Sequence, residues 1–254
     1  HNHARMWFAG WWIHVERLPW QLGAHFFFKN LLDADPASNT LSWRWVAGLQ
    51  TPGKTYLPRR SNIEKYMSPD LLDTLQEGLE ILERPTAVDP GAPERERITH
   101  PGPDPETLPD NRNAGIWVHE EDLLPEASPL SPLKPKAVLV SGNSEAWEKF
   151  DFCGPKRKWL MAALEDARLR AENHFRVSPE IVTQTHQLQS ITTWARRENL
   201  RQVVALRPQV GPLADLIPSI RQELASHDVE LLLLDRAKDR AARSLATGSF
   251  FSFW

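Results

Sequence analysis

The stretch LLDADPASNTLSWRW, residues 31–45, places Asp33 and Asp35 two positions apart, Asn39 four further on, and Trp43 and Trp45 on either side of Arg44. Upstream, HNHARMWFAGWW and LPWQLG add Asn2, His3, Arg5, Met6 and Trp20. Carboxylates, an amide and a guanidinium can hold a polar ligand. Indoles are readily oxidised and stack on flat rings. Read one at a time, the same residues have plainer roles: Asp33 and Asp35 as loop or helix-terminus acids, Asn39 as a turn or cap residue, each Trp as core, and His3 and His14 as partly buried or surface histidines. Six of the eleven tryptophans lie before residue 46, in a segment (1–67) with eight Lys/Arg against four Asp/Glu, a charge of +4. Basic charge interleaved with aromatics suits nucleic acid, because cations neutralise phosphate while rings stack on bases; a solvated rim round an aromatic core has the same composition.

The elements that must position these residues are legible from periodicity. From Asn2 to Leu18 the apolar residues recur at helical spacing on more than one face, the mark of a buried helix, and Pro19 ends it. WQLGAHFFFKNLL reads as a second helix with Leu22, Phe26 and Leu31 inward. The loop DADPASN leads to a third, carrying Trp43 and Trp45. SPDLLDTLQEGLEIL begins with a Ser cap, Pro at the first helical position and Asp in the first turn, and Leu71, Leu72, Leu75, Leu79 and Leu82 form one core-facing stripe. Residues 85–135 hold eleven of the 21 prolines, and residues 85–136 hold five Lys/Arg against ten Asp/Glu. Such a segment buries too little apolar surface to offset its ordering entropy, so it reads as a linker in which GIWVHEEDLL docks locally. From Lys136 strands (AVLVSG, QVVAL, VELLLL) alternate with helices (KRKWLMAALEDARLRAEN, TTWARREN, LADLIPSIRQELASH), which implies a parallel sheet. SGNSEAW could offer amides to a phosphate but lacks the dinucleotide glycine pattern and the Walker lysine, so an ordinary strand-to-helix turn is the simpler reading.

Three domains follow: a helical segment 1–84, a Pro-rich acidic linker 85–136, and a small Rossmann-like α/β domain 137–254. The lone Cys153 excludes internal disulfides and a four-cysteine metal site. No triad or metal cluster is visible, and no apolar run reaches membrane-spanning length, which gives a cytoplasmic protein without a membrane partner.

The motifs of the first 67 residues, taken together, resemble the photolyase and cryptochrome family. That family's pattern runs His-Asn-Arg-x-Arg-Met, Asp-Trp-Arg-x-Gly, Asp-Gly-Asp-x-Ala-x-Asn and Trp-x-Trp, and the intervals agree: 18 positions from Asn2 to Trp20 and 13 from Trp20 to Asp33. The resemblance implies FAD as cofactor. It places Asp33, Asp35 and Arg5 beside the flavin, Asn39 facing flavin N5, and Trp43 and Trp20 in an electron-transfer chain. Met6 and Trp45 would contact a flipped lesion, Asn2 and His3 lie on the DNA-facing end of their helix, and Asn62 stands where the family has a glutamine near DNA. The implied activity is that of a deoxyribodipyrimidine photolyase, light-driven splitting of pyrimidine dimers in damaged DNA. Two alternatives stand beside it: a cryptochrome-like photoreceptor without repair, and a flavin-free module that binds DNA or a partner. The chain departs from the pattern where His3 replaces an arginine and where Thr40, Leu41 and Ser42 replace Asn-Gly-Gly. Family members build the other half of the FAD cavity from helices upstream of the His-Asn motif, so a second chain or a missing segment would complete the site. The C-terminal α/β region, ending in ATGSFFSFW, resembles the family's antenna-type domain in reversed order, as in a permuted, truncated or fragmentary member.

Overall fold

A computed structural model describes residues 1–50, 54–74, 77–89, 91, 113–183 and 186–245. The chain divides into two compact units, residues 1–98 and 99–254.

The first unit is helical. α1 (Asn2–Gly10) runs into a π-helical turn, Trp11–Val15, closed by the Glu16 amide donating to the Trp11 carbonyl at 3.0 Å. The continuous helix read from the sequence is therefore present but widened by one residue per turn, which turns Ile13 and His14 inward. α2 (Trp20–Asn30) starts after Pro19, and α3 (Pro36–Val46) starts after Asp35, whose carboxylate accepts the Ser38 amide at 2.7 Å as an N-cap. Ala9, Ile13, Ala24, Trp43, Val46 and Ala47 form the core, coated by Phe8, Trp12, Trp20 and Phe27. Gly23 makes the closest contact possible: a Cβ there would lie 2.2 Å from Cη2 and Cζ3 of Trp43, so α3's largest side chain rests directly on α2's backbone.

Two expectations for this unit are corrected. Leu22 is 57% exposed and Phe26 is also exposed, so the buried face of α2 is Gly23–Ala24 with Phe27 beside it, one position round from the predicted stripe. The leucine stripe does not belong to one helix either. α4 (Arg60–Tyr66) is followed by a short α5 (Pro69–Thr74), and a separate 3₁₀ turn spans Leu79–Leu82. Gly78, at φ 93°, takes the left-handed conformation that ends helical continuity; Leu71 is 55% exposed while Leu82 is buried. Leu75 lies outside the described residues.

The second unit is a five-stranded, wholly parallel sheet in the order β3-β2-β1-β4-β5, with a 3₁₀ turn (Pro125–Ala127) between β1 and β2 and α-helices in the later connections. Its elements are β1 (Ala114–His119), β2 (Ala137–Ser141), α6 (Ser144–Lys149), α7 (Gly154–Phe175), β3 (Glu180–Val182), α8 (Gln187–Arg197), β4 (Gln202–Leu206), α9 (Pro212–Ala225), β5 (Glu230–Leu234) and α10 (Ala237–Leu245). Strands covered on both faces read as unbroken apolar runs, and β2, β4 and β5 do. Trp117, Leu139, Val203 and Leu231 pack under Ile191 and Trp194 of α8 and Ile220 and Leu224 of α9.

The predicted linker is corrected here. Its GIWVH segment is β1, the central strand, every residue of it buried. Gly115 is required at that place, since a Cβ would lie 2.4 Å from Leu200 Cδ1 and 2.5 Å from Trp194 Cη2. The sheet therefore includes residues before 137, its central strand starting at Ala114. AVLVSG is the second strand, and β3, α6 and α10 are additions to the sequence reading. The terminal ATGSFFSFW and most of residues 90–112 lie outside the described residues. Among the described residues no helix is long and apolar enough to cross a membrane.

Candidate functional site

Three helices converge on a cavity of about 210 Å³ in the first unit. α1 contributes Asn2, Arg5, Met6 and Ala9, spaced i, i+3, i+4 and i+7 along one stripe. Phe27, Leu31, Asp33 and Ala34 come from the end of α2 and the turn after it. α3 supplies Ser38, Asn39, Ser42, Trp43, Trp45 and Val46. Seven of the sequence-predicted residues (Asn2, Arg5, Met6, Asp33, Asn39, Trp43 and Trp45) thus share one concave surface.

The polar side is set by an ion pair and an anchored amide. Arg5 Nη1 lies 3.0 Å from Asp33 Oδ2, with the side chains 41% and 66% exposed. Such a pair contributes at most about 1 kcal/mol to stability, so its consequence is to present one cation and one anion side by side at the rim. Asn39 donates from Nδ2 to the Ala24 carbonyl at 2.8 Å, which fixes the amide plane between α2 and α3.

The apolar side is Trp43, 1% exposed. Its ring meets Phe27 at 5.0 Å and 77°, Trp12 at 6.3 Å and 83°, and Phe8 at 6.5 Å and 86°, all edge-to-face. Its Nε1 is buried with no partner among the described residues. An indole N–H buried without an acceptor costs free energy.

The remaining predicted residues lie elsewhere. Asp35 caps α3. Trp20 lines a separate groove of about 200 Å³ with Ile13, Leu18, Leu49 and Val88, under the Arg44 guanidinium at 5.9 Å. The indole that touches Trp43 is Trp12, whose Nε1 donates to the Pro19 carbonyl beside Trp20. His3 stacks on Tyr66 at 4.1 Å. Asn62 accepts from Trp7 Nε1 at 2.8 Å and from the Tyr56 hydroxyl at 3.4 Å, a brace between α1 and α4. Of the nearby cations, Arg60 is committed to Glu64 at 2.7 Å and Glu83 at 3.2 Å, and Lys65 lies 5.0 Å from the Tyr66 ring centroid.

Ser38 and Ser42 were not singled out by sequence reasoning, although their spacing of four on α3 is a signal for a shared face. Nor did that reasoning reveal the buried polar groups of the second unit. His119 there is buried, with Nε2 2.8 Å from the Leu206 carbonyl, and burial lowers its pKa below the ordinary 6.5. Glu120 accepts from the Asn143 amide at 2.9 Å and Trp147 Nε1 at 2.8 Å, and burial pushes its carboxyl up. No grouping of three metal-ligating side chains occurs among the described residues.

Part of the chain is similar to known proteins. Residues 1–69 match the family described as the FAD binding domain of DNA photolyase. Two curated relatives, both named deoxyribodipyrimidine photo-lyase, align with part of the chain: that of Agrobacterium fabrum (strain C58 / ATCC 33970) is 46% identical over 48 residues, 19% of this chain and 10% of the relative, and that of Streptomyces griseus is 43% identical over 51 residues, 20% and 11%. The chain thus spans about a tenth of the length of the curated relatives it matches. No solved structure matches. The helical segment 1–69 is thus similar to the FAD binding domain of DNA photolyase, a domain whose cofactor is FAD. The residues present fit it: an aromatic wall, a fixed amide, and a paired cation and anion at the rim. A small-molecule site usually measures roughly 300–1,000 Å³, so the cavity here is smaller than a site that encloses a whole dinucleotide.

Proposed function

We propose that the chain serves FAD-dependent, blue-light-driven splitting of pyrimidine dimers, with residues 1–84 as the FAD- and DNA-binding part. The observation that carries this reading is the convergence of Arg5, Asp33, Asn39 and Trp43 on one cavity. When bound, FAD supplies the light absorption and the electron that enters the dimer. Arg5 and Asp33 orient the polar edge of the cofactor, and the Asn39 amide, locked on Ala24, faces its reactive ring. Asp35 acts one step back, holding the start of α3 so that Asn39 and Trp43 point inward. Trp43 and Trp20 pass electrons from the protein surface to the site, with Trp12 in contact with Trp43 and hydrogen-bonded next to Trp20. Met6 and Trp45 at the cavity mouth receive an extruded base, which must leave the duplex before chemistry can reach it. Asn2 faces DNA from the start of α1, and His3 and Asn62 brace that end against α4 from outside the cavity.

The second unit, on this reading, is an antenna-type, Rossmann-like domain, joined by a linker that stops before β1. Its strand order, which places the central strand first and reverses direction between β1 and β4, is that of doubly wound nucleotide-binding sheets. A reducing, cytoplasmic setting suits the single thiol of Cys153. A cryptochrome-like photoreceptor without repair is favoured by one observation, the loss of phosphate-facing charge: His3 is stacked on Tyr66 and Arg60 is held by two glutamates.

The test is purification with FAD followed by illumination on dimer-containing DNA. Flavin retention with dimer loss supports repair. Flavin retention and photoreduction without dimer loss supports the photoreceptor. Protein that takes up no flavin, alone or with a segment completing the cavity, overturns both.

A further inference from the structure

His14 sits on the π-helical turn and is 4% exposed, yet both ring nitrogens are engaged. Nε2 lies 3.0 Å from the Val46 carbonyl at the end of α3 and 3.2 Å from Thr55 Oγ1, and the Thr55 hydroxyl itself donates to Val46 at 2.6 Å. Nδ1 accepts the backbone N–H of Val88 at 3.1 Å, across 74 residues of chain. A backbone amide can only donate, so Nδ1 carries the lone pair, Nε2 carries the proton, and the imidazole is neutral. Val88 lines the apolar groove of Ile13, Leu18, Pro19, Trp20 and Leu49.

We propose that His14 is a proton-operated clasp: the neutral ring holds residues 84–89 across the Trp20 groove, and protonation at Nδ1 releases them and opens that groove to solvent. A proton on Nδ1 turns the acceptor into a donor aimed at another donor, so the Val88 bond is lost while the Nε2 contacts to Val46 and Thr55 remain. Glu16 and Arg17 on the turn, Arg44 on α3, Lys54 and Tyr56 beside Thr55, and Arg84 and Asp89 on the strap are the ionisable groups of the elements packed round the ring. Its protonation is governed instead by burial, which lowers the pKa from 6.5, opposed by the backbone of Val46 and Tyr56. The clasp is therefore closed at neutral pH and opens on acidification below the ordinary histidine range.

The clasp does not depend on the flavin reading and is tested on the full, cofactor-free chain by amide hydrogen exchange of residues 84–89 between about pH 8 and about pH 5, corrected for intrinsic rates, with the His14 ring followed by ¹⁵N NMR. The expected result is a fall in Val88 protection of about tenfold, the factor set by one hydrogen bond, at the midpoint of the His14 titration, with α1–α3 amides still protected. Val88→Pro, which removes the donor, should leave exchange of the remaining strap amides independent of the His14 titration. His14→Phe should do the same if it folds. Val88 protection that ignores the His14 titration, a strap in Val88→Pro that still responds to pH, or a loss of α1–α3 protection as large as that of Val88 at the same midpoint would each overturn the proposal.

Discussion

Asp33 and Asp35 look equivalent in the sequence, and the structure separates them. Asp33 is at the cavity, paired with Arg5; Asp35 spends its carboxylate on the Ser38 amide. Asp33→Asn should leave stability within about 1 kcal/mol, because the pair is half in water, while purified protein retains much less FAD. Asp35→Ala should do the reverse, costing about 1 kcal/mol of α3 stability with most of the flavin kept. Visible absorbance and thermal melts of the two variants decide it, and equal flavin loss in both would put Asp35 in contact with the cofactor. Trp43 has a comparable test. Trp43→Phe keeps most of the packing, so it should cost less than the about 3–5 kcal/mol of full truncation, yet slow flavin photoreduction severely. Trp12→Phe should slow it as well, since Trp12 is the indole in contact with Trp43. Wild-type photoreduction in Trp43→Phe would remove the relay. The spacing of Asp33, Asn39 and Trp43 was legible because residue types at fixed intervals survive in sequence. The capping role of Asp35 and the bridging position of Trp12 were not, because hydrogen bonding and ring contact depend on how α1–α3 cross.

At the scale of elements, apolar periodicity recovered β2, β4, β5 and the helices α7–α9, whose burial is continuous or one-sided. It failed where a single glycine outweighed the pattern. Gly78 splits the leucine run between α5 and a 3₁₀ turn, and Gly23 makes the buried face of α2 one of small residues, so that Leu22 and Phe26 face outward. β1 was missed because six buried residues are flanked by prolines and acids, and averaged composition hides so short a strand. Gly23→Ala tests the packing directly. Its Cβ would fall 2.2 Å from two carbons of Trp43, which has no room to retreat between Phe27, Phe8 and Trp12. Overpacking of this kind costs roughly 1–3 kcal/mol or more. Chemical denaturation followed by hydrogen exchange should show that loss in α1–α3 and none in β1–β5; an unchanged α1–α3 would mean that α2 and α3 are not in contact through Gly23.

At the scale of the whole chain, the two units carry separate cores of unequal size. The sheet unit buries a broad layer from Trp117 to Leu233, whereas the helical unit closes on six residues and leaves Trp11, Leu22, Phe26, Leu41 and Trp45 exposed. Unfolding should therefore occur in two transitions, with α1–α3 opening first. Acid should weaken both, because each unit buries a histidine whose pKa burial lowers, His14 in one and His119 in the other. The unfolded chain then binds the proton more tightly than the folded one. Stability from these groups is intact above the ordinary value of 6.5 and falls as pH drops below it. FAD should act on one transition alone. A ligand bound only by the folded helical unit stabilises it by about 2.7 kcal/mol at a hundredfold excess over Kd, and the sheet unit, with a core of its own, gains nothing. Hydrogen exchange resolved by peptide, with and without FAD, should move protection in residues 1–50 and leave β1–β5 unchanged. Equal protection of both units would mean that they unfold as one or that the sheet also binds the cofactor, and protection of the sheet alone would place the flavin there instead of among the three helices.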